Sequence, residues 1–290
     1  MRVVTGRAEW RAALDEVRSR GERVGFVPTM GALHDGHASL VSRSVAAGDT
    51  TAVSIFVNPL QFGQPADLAS YPRDLSADVE VLERAGCSLV FAPEVTEVYP
   101  DFPATPSTMV ITGGAALPLE GAQRPGHFDG VATVLSKLFS LTGPCRAYFG
   151  EKDFQQVAVV RQVVDDLWLP VEIEACPTVR AADGLALSSR NARLSEKGRA
   201  AAPVIIRALS LGAERVAAGA SPDEARAAMV SEVQAEPMAT LEYAVIVDPV
   251  TFEEVTSFAP GIAVRLLMVA EIEGVRLIDN LGARPDGGLR

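Results

Sequence analysis

Apolar and polar positions alternate along the chain with two different periods. Over residues 8–20, Trp10, Leu14 and Val17 recur at helical spacing, and Gly21 ends the run. Residues 23–27 follow as a short apolar strand. The order then repeats. Residues 38–47 read as a helix closed by Gly48, and 51–57 as a β-branched strand stopped by Asn58-Pro59. Residues 76–85 read as a helix with Ser76 as N-cap and Gly86 as its stop, and 88–92 as a strand. The rhythm breaks over 99–125, where prolines and a Gly113-Gly114 pair predict a long excursion with one short strand at 108–112. It resumes with a helix at 129–141, a strand at 146–149, a helix at 154–167 and a strand at 171–175. Strands alternating with helices predict βαβ units, hence an α/β, Rossmann-like parallel sheet.

The last third has a different pattern. Residues 195–219 read as one long alanine-rich helix and 221–236 as another. Apolar strands follow at 241–248 and 263–272, with 275–277 after a turn at Gly274, and 283–290 reads as a frayed tail. Helices followed by antiparallel strands predict a separate, smaller α+β unit. The pattern changes near residues 179–188, so the expected domains are 1–182 and 183–290.

Composition narrows the function. The 290 residues are 48% hydrophobic and 22% charged, enough to bury a core without disulfide staples. A net charge of −11 argues against nucleic-acid binding, which leaves a basic footprint. Cys87, Cys145 and Cys176 form no CxxC pair and read as reduced, buried thiols rather than nucleophiles. The first residues lack an apolar signal core, and no apolar run approaches the length of about 18 residues needed to span a membrane. The expectation is a cytoplasmic protein without membrane partners.

The chemistry concentrates in Pro28-Thr29-Met30-Gly31-Ala32-Leu33-His34-Asp35-Gly36-His37, at a strand-to-helix turn. A helix start carries unpaired N–H groups and the positive end of the dipole, and two histidines three apart share one side of it. Gly31 and Gly36 let an anion approach the backbone. The pattern reads as a nucleotide-phosphate site built from imidazoles. A metal pair or a plain polar helix start are the alternatives; no HExxH pattern exists. Neither GxxxxGK[ST] nor a GxGxxG after the first strand occurs, so P-loop and dinucleotide fingerprints are missing. Lys152 follows a strand end, where open α/β sheets bind ligands, though a solvated surface lysine fits the position equally.

His34-Asp35-Gly36-His37 resembles the HxGH element of the adenylate-forming nucleotidyltransferase and class I tRNA-synthetase superfamily. The longer string 28–37 resembles the pantothenate synthetase family. So do Phe56-Val57-Asn58-Pro59-Leu60-Gln61-Phe62, Glu120-Gly121 with Arg124-Pro125-Gly126-His127-Phe128, Phe149-Gly150-Glu151-Lys152-Asp153-Phe154-Gln155-Gln156, and Ser188-Ser189-Arg190-Asn191. These lie in family order over about two-thirds of the chain. The resemblance implies that ATP activates pantoate to pantoyl-adenylate, and that the β-alanine amine then displaces AMP. An alkyl ammonium must first lose a proton, at a cost of about 4 kcal/mol at neutral pH, with leaving phosphate or water as acceptor.

The same resemblance implies the site. ATP is expected on Met30, Gly31, Ala32, Leu33, His34, Asp35, Gly36 and His37, on Gly150, Glu151, Lys152 and Asp153, and on Val179, Leu187, Ser188, Ser189 and Arg190. His37, His34, Lys152 and Arg190 are the expected catalytic set, stabilising charge on the phosphates. Ser188-Ser189-Arg190 stands where relatives of the superfamily carry KMSKS; a Ser-rich linker is the plain alternative. Gln61, Gln156, Asn58 and Met30 are expected to bind pantoate, since amides suit its hydroxyls, and Gln61 to bind β-alanine as well. Asp78 is the candidate Mg²⁺ ligand, although a helix-start acid is also explained by the dipole. Glu120 and Arg124 could pair in the excursion, and His127 reads as structural. A homodimer is implied by resemblance alone. A nucleotidyltransferase that retains its nucleotide and a non-catalytic nucleotide sensor are the competing readings.

Overall fold

The structure is a computed structural model that describes residues 1–63 and 65–285. It packs into two units. The first comprises Met1–Glu151 and Gln155–Pro177; the second comprises Lys152–Phe154 and the chain from Thr178 onward.

Among the described residues, the first unit holds a six-stranded parallel sheet in the order β1-β4-β3-β2-β5-β6. Its strands are β1 (Arg2–Val4), β2 (Val24–Thr29), β3 (Thr50–Ile55), β4 (Leu89–Phe91), β5 (Cys145–Gly150) and β6 (Val171–Cys176). The connecting helices are α1 (Arg7–Ser19), α2 (Asp35–Ala46), α3 (Pro65–Ser70), α4 (Leu75–Ala85), α5 (Val95–Val98), α6 (Glu120–Gln123), α7 (His127–Thr142) and α8 (Phe154–Asp166). Both faces are buried, as a parallel sheet requires. Trp10, Phe26, Phe91, Phe139 and Phe149 pack on one face, and Val27, Val41, Val53, Leu82 and Val90 on the other.

From β2 the chain winds through β3 to β4 on one side, then returns to build β5 and β6 on the other. The sheet's order therefore reverses between β2 and β5, where doubly wound folds open a ligand crevice. The β2–β5 ladder stops at Phe26 opposite Ala147, two residues before Pro28. Proline has no N–H to continue it. The segments leaving β2, β3 and β5 all start from the same edge of the sheet.

The second unit contains α9 (Glu196–Ala201), α10 (Val204–Ala217) and α11 (Pro222–Gln234), packed on an antiparallel sheet of β7 (Ala239–Val247), β8 (Val264–Ile272) and β9 (Val275–Ala283). Its core is Leu209, Met229, Leu266 and Met268 with their neighbours. Ser221 and Glu224 close a capping box at the start of α11.

Several elements differ from expectation. β1 pairs Arg2–Val4 with Leu89–Phe91; three residues are too few to show a period. The helix start near residue 76 is capped by Asp74, which accepts from Ala77 N at 3.0 Å, not by Ser76. No strand forms at 108–112. Val110 N donates to Thr133 Oγ1 at 3.0 Å and Thr112 N to Asp129 Oδ1 at 2.8 Å, so side chains of α7 take the donors a strand partner would need. The expected helix 195–219 is divided into α9 and α10 by Pro203, whose missing N–H ends α9. β9 continues to Ala283, beyond the expected end at Leu277, and the rest of the expected tail, 286–290, lies outside the described residues.

Candidate active site

The turn after β2 enters left-handed backbone at Gly31 (φ 82°) and Ala32 (φ 52°). Glycine adopts this freely and alanine at some cost. The turn is held by an acid remote in sequence. Asp78, in the first turn of α4 and 4% exposed, accepts from Leu33 N at 2.7 Å through Oδ1 and from Ala32 N at 3.1 Å through Oδ2. A Cβ on Gly31 would sit 2.8 Å from Asp78 Oδ2, so only glycine fits against the carboxylate. Burial raises the Asp78 pKa, while the Leu33 and Ala32 donors pull it back.

α2 begins at Asp35, three residues earlier than expected, so His37 lies inside its first turn. His34 is the N-cap: its Nδ1 accepts from Gly36 N at 3.1 Å, while His37 Nδ1 accepts from His34 N at 3.3 Å. The two imidazoles form a reciprocal capping box, with ring centroids 4.2 Å apart. Two helix-start donors are thus spent on the rings and not left for an anion. In exchange, each Nδ1 acts as acceptor, which places the proton of the neutral ring on Nε2.

The next segment follows β3. Asn58 is 1% exposed and caps the 3₁₀ turn Pro59–Gln61. Its Nδ2 donates to Gln61 Oε1 and to Gly130 O, both at 3.0 Å, and its Oδ1 accepts from Tyr99 Oη at 3.0 Å. Gln61 Nε2 lies 2.9 Å from Met30 Sδ. The structure therefore brings Met30, Asn58 and Gln61 together. His127 Nδ1, at the start of α7, lies 3.0 Å from Gln61 O, and Arg124 Nη2, at the end of α6, donates to the same oxygen at 3.3 Å. His127 and Arg124 fix the backbone of Gln61, a role their motif did not reveal. Gly130 permits this approach, since a Cβ there would meet Leu60 O at 2.4 Å.

Gln155 and Gln156 divide their roles. Gln155 is buried and bonds Glu120 N, Ala115 O and Pro118 O, which pins the excursion. Gln156 is half-buried, and its amide makes no hydrogen bond among the described residues.

The second unit carries the remaining cations. β5 ends at Gly150, and the 3₁₀ turn Glu151–Asp153 follows. Lys152 Nζ lies 3.3 Å from Asp153 Oδ1, and the side chain is 17% exposed. A cleft is lined by Lys152, Ser188, Arg190, Asn191, Arg276 and Asp279. Val179 and Leu187 face each other in a short hairpin, with Leu187 N donating to Val179 O at 3.0 Å. Ser188 caps the 3₁₀ turn Ser189–Arg193, accepting from Arg190 N at 3.3 Å, and Arg190 is exposed. Asn191, for which no role was expected, donates to Ala186 O, while its buried Oδ1 has no partner among the described residues.

The expected metal role of Asp78 finds no support. Both oxygens are engaged by backbone donors, and no group of three or more His, Cys, Asp or Glu is placed to hold an ion among the described residues. The three cysteines are buried and free, and burial pushes Cys87 and Cys176 up to about 11 and Cys145 up to about 12. Protonated at neutral pH, they are not nucleophiles. No helix among the described residues is long and apolar enough to cross a membrane.

A doubly wound sheet with a polar, imidazole-bearing turn beside its switch point, joined to a small antiparallel unit bearing cations, defines a ligand-binding α/β protein with an HxGH element. Comparison with known proteins narrows this class: residues 2–282 match the family model for pantoate-beta-alanine ligase, and the chain belongs to that family. It is 50% identical over 283 residues to the pantothenate synthetase of Herpetosiphon aurantiacus, covering 97% of this chain and 99% of the relative. The pantothenate synthetase structure from Thermus thermophilus superposes with TM-score 0.89 at 48% identity, covering 97% of this chain and 99% of that one. A pantoate-beta-alanine ligase from Francisella tularensis, solved in complex with beta-gamma ATP and beta-alanine, gives TM-score 0.79 at 32% identity over 99% of both chains.

Proposed function

We propose that this chain joins (R)-pantoate to β-alanine at the expense of ATP, releasing AMP and pyrophosphate. Membership of the ligase family and the resemblance of its motifs support this amide-forming activity. In the first step a pantoate carboxylate oxygen bonds to the α-phosphorus and the bond to pyrophosphate breaks. In the second the neutral amine of β-alanine bonds to the acyl carbon, and the bond to the AMP oxygen breaks.

The observation that carries this reading is the imidazole capping box. Backbone donors hold both Nδ1 atoms, so His34 and His37 present Nε2–H as fixed donors toward a phosphate chain. Lys152 and Arg190 supply full positive charge for the same nucleotide, with the hydroxyls of Ser188 and Ser189 beside them. Met30 to His37, Gly150 to Asp153, Val179 and Leu187 complete the ATP contacts. Asn58, Gln61, Gln156 and Met30 form the pantoate pocket: the amides meet its hydroxyls, and the thioether lies against its methyl groups. Gln61 also meets β-alanine. That the Francisella ligase takes beta-gamma ATP and beta-alanine supports both ligand assignments. Mg²⁺ bound with ATP would neutralise part of the charge on its phosphates. The segment around Ser188–Arg190 clamps the nucleotide. The protein works in the cytoplasm as a homodimer.

The decisive experiment is isotope exchange. With pantoate, ATP and Mg²⁺ but no β-alanine, labelled pyrophosphate should enter ATP. Folded protein that shows no exchange would rule out the adenylate route. Free AMP as product, rather than a nucleotide retained on pantoate, separates ligase from transferase.

A further inference from the structure

Lys152–Phe154 belongs to the second unit although the chain on either side of it belongs to the first. Residues of β8 and β9 explain this. Asn280, 2% exposed on β9, donates through Nδ2 to Lys152 O at 2.9 Å. Its Oδ1 accepts from Arg265 of β8, with Nε at 2.7 Å. The Arg265 guanidinium in turn lies 4.0 Å over the ring of Phe154, which packs on Phe252 at 5.8 Å between centroids. The preceding residue, Asp279, is 5% exposed and grips Arg180 with both oxygens, Arg180 Nη2 lying 3.0 Å from Oδ1. Arg180 sits on the hairpin that carries Val179, Leu187 and Ser188, and donates to Gly184 O at 3.1 Å across it. Asp279 Oδ1 also accepts from Asn280 N at 2.8 Å, which locks the two side chains to one strand.

We infer that the consecutive residues Asp279 and Asn280 are positioning residues that set Lys152 and the Ser188–Arg190 segment at a fixed separation. Asn280 holds the lysine through its carbonyl, and Asp279 holds the hairpin through Arg180. Neither need touch a ligand. Two charges from segments far apart in sequence must meet one phosphate chain. A small misplacement of such a charge weakens it at the moment charge develops. The inference rests on the proposal above that Lys152 and Arg190 act on the phosphates.

Double-substitution cycles in pantoate-dependent pyrophosphate exchange test it. Asn280→Ala should lower kcat about tenfold in the otherwise intact protein, with KM for ATP changed less than twofold. In a Lys152→Ala background the same substitution should cost less than twofold. Asn280→Asp keeps the acceptor for Arg265 but removes the donor to Lys152 O. It should reproduce the loss while melting as the parent does, which separates positioning from folding. Asp279→Asn, probed against Arg190→Ala, should be non-additive in the same way. If Asn280→Ala costs as much without Lys152 as with it, or costs nothing while Lys152→Ala is slow, the positioning role is wrong. If Lys152→Ala itself exchanges at the parent rate, the phosphate assignment falls first, and that result is distinguishable from the others.

Discussion

The two units hold the segments proposed to bind ligand by different means. In the first, Asp78 reaches across to the turn after β2 and takes two backbone N–H groups directly. In the second, Asp279 takes a guanidinium, and the hairpin follows because Arg180 is part of it. A carboxylate on backbone donors fixes a turn's shape and leaves its side chains to act. A carboxylate on an arginine fixes a segment's place but consumes that arginine's charge. The imidazoles of His34 and His37 lie in the first unit, and Lys152 and Arg190 in the second. On the proposed assignments, shape belongs to one unit and charge to the other.

The largest effect should follow from removing charge. Lys152→Ala is expected to slow pantoate-dependent pyrophosphate exchange by about 10²–10³, in line with roughly 2.7–4 kcal/mol for losing one preorganised donor. The melting temperature should stay close to the parent's, since the ammonium pairs with its chain neighbour Asp153 and ties no distant element in place. Parent-like exchange would move the charge elsewhere and erase the contrast between the units.

A smaller effect should follow from altering the pantoate pocket proposed for the first unit. Gln61→Ala removes an amide that Asn58 and Met30 hold in place. KM for pantoate should rise about tenfold, the order of one lost hydrogen bond of about 1–1.5 kcal/mol, with KM for ATP nearly unchanged. Steady-state kinetics with each substrate varied in turn measures the split. Equal rises in both would place Gln61 in the nucleotide site instead.

The alternation of strands and helices was legible because each βαβ unit repeats the same pattern, and the imidazole turn was legible because its residues are contiguous. What escaped was long-range. Thr108, Val110, Ile111 and Thr112 have strand-forming character, yet α7 claimed the donors of Val110 and Thr112. The last strand was expected to stop at Leu277, before polar Asp279 and Asn280. They lie inside it, made tolerable there by Arg180 and Arg265. Asp78 fitted a helix-dipole explanation so well that its contacts with Ala32 and Leu33 left no local trace. A candidate site residue is marked by its motif; the residue that holds it came from another element and carried no motif of its own.

The smallest effect sharpens the shape half of the comparison and depends on pH. Burial raises the Asp78 pKa above the ordinary carboxylate value, against the pull of the Leu33 and Ala32 donors. The folded state therefore binds this proton more readily than the unfolded state, so the carboxylate opposes folding at neutral pH. That opposition is relieved as pH falls through the raised pKa, and no further change comes once pH is below the ordinary value. Acids such as Glu22, held down to about 2 chiefly by Arg20, act in the opposite sense, but only at lower pH and equally in a variant at residue 78. Asp78→Asn removes the titration while keeping one acceptor for the turn. Melting curves taken from neutral pH down to the ordinary carboxylate value, about pH 4, should show the parent gaining on the variant as pH drops. A difference that stays constant, or shifts toward the variant, would mean that the turn's N–H groups outweigh burial and that the carboxylate stabilises the fold as well as shaping it.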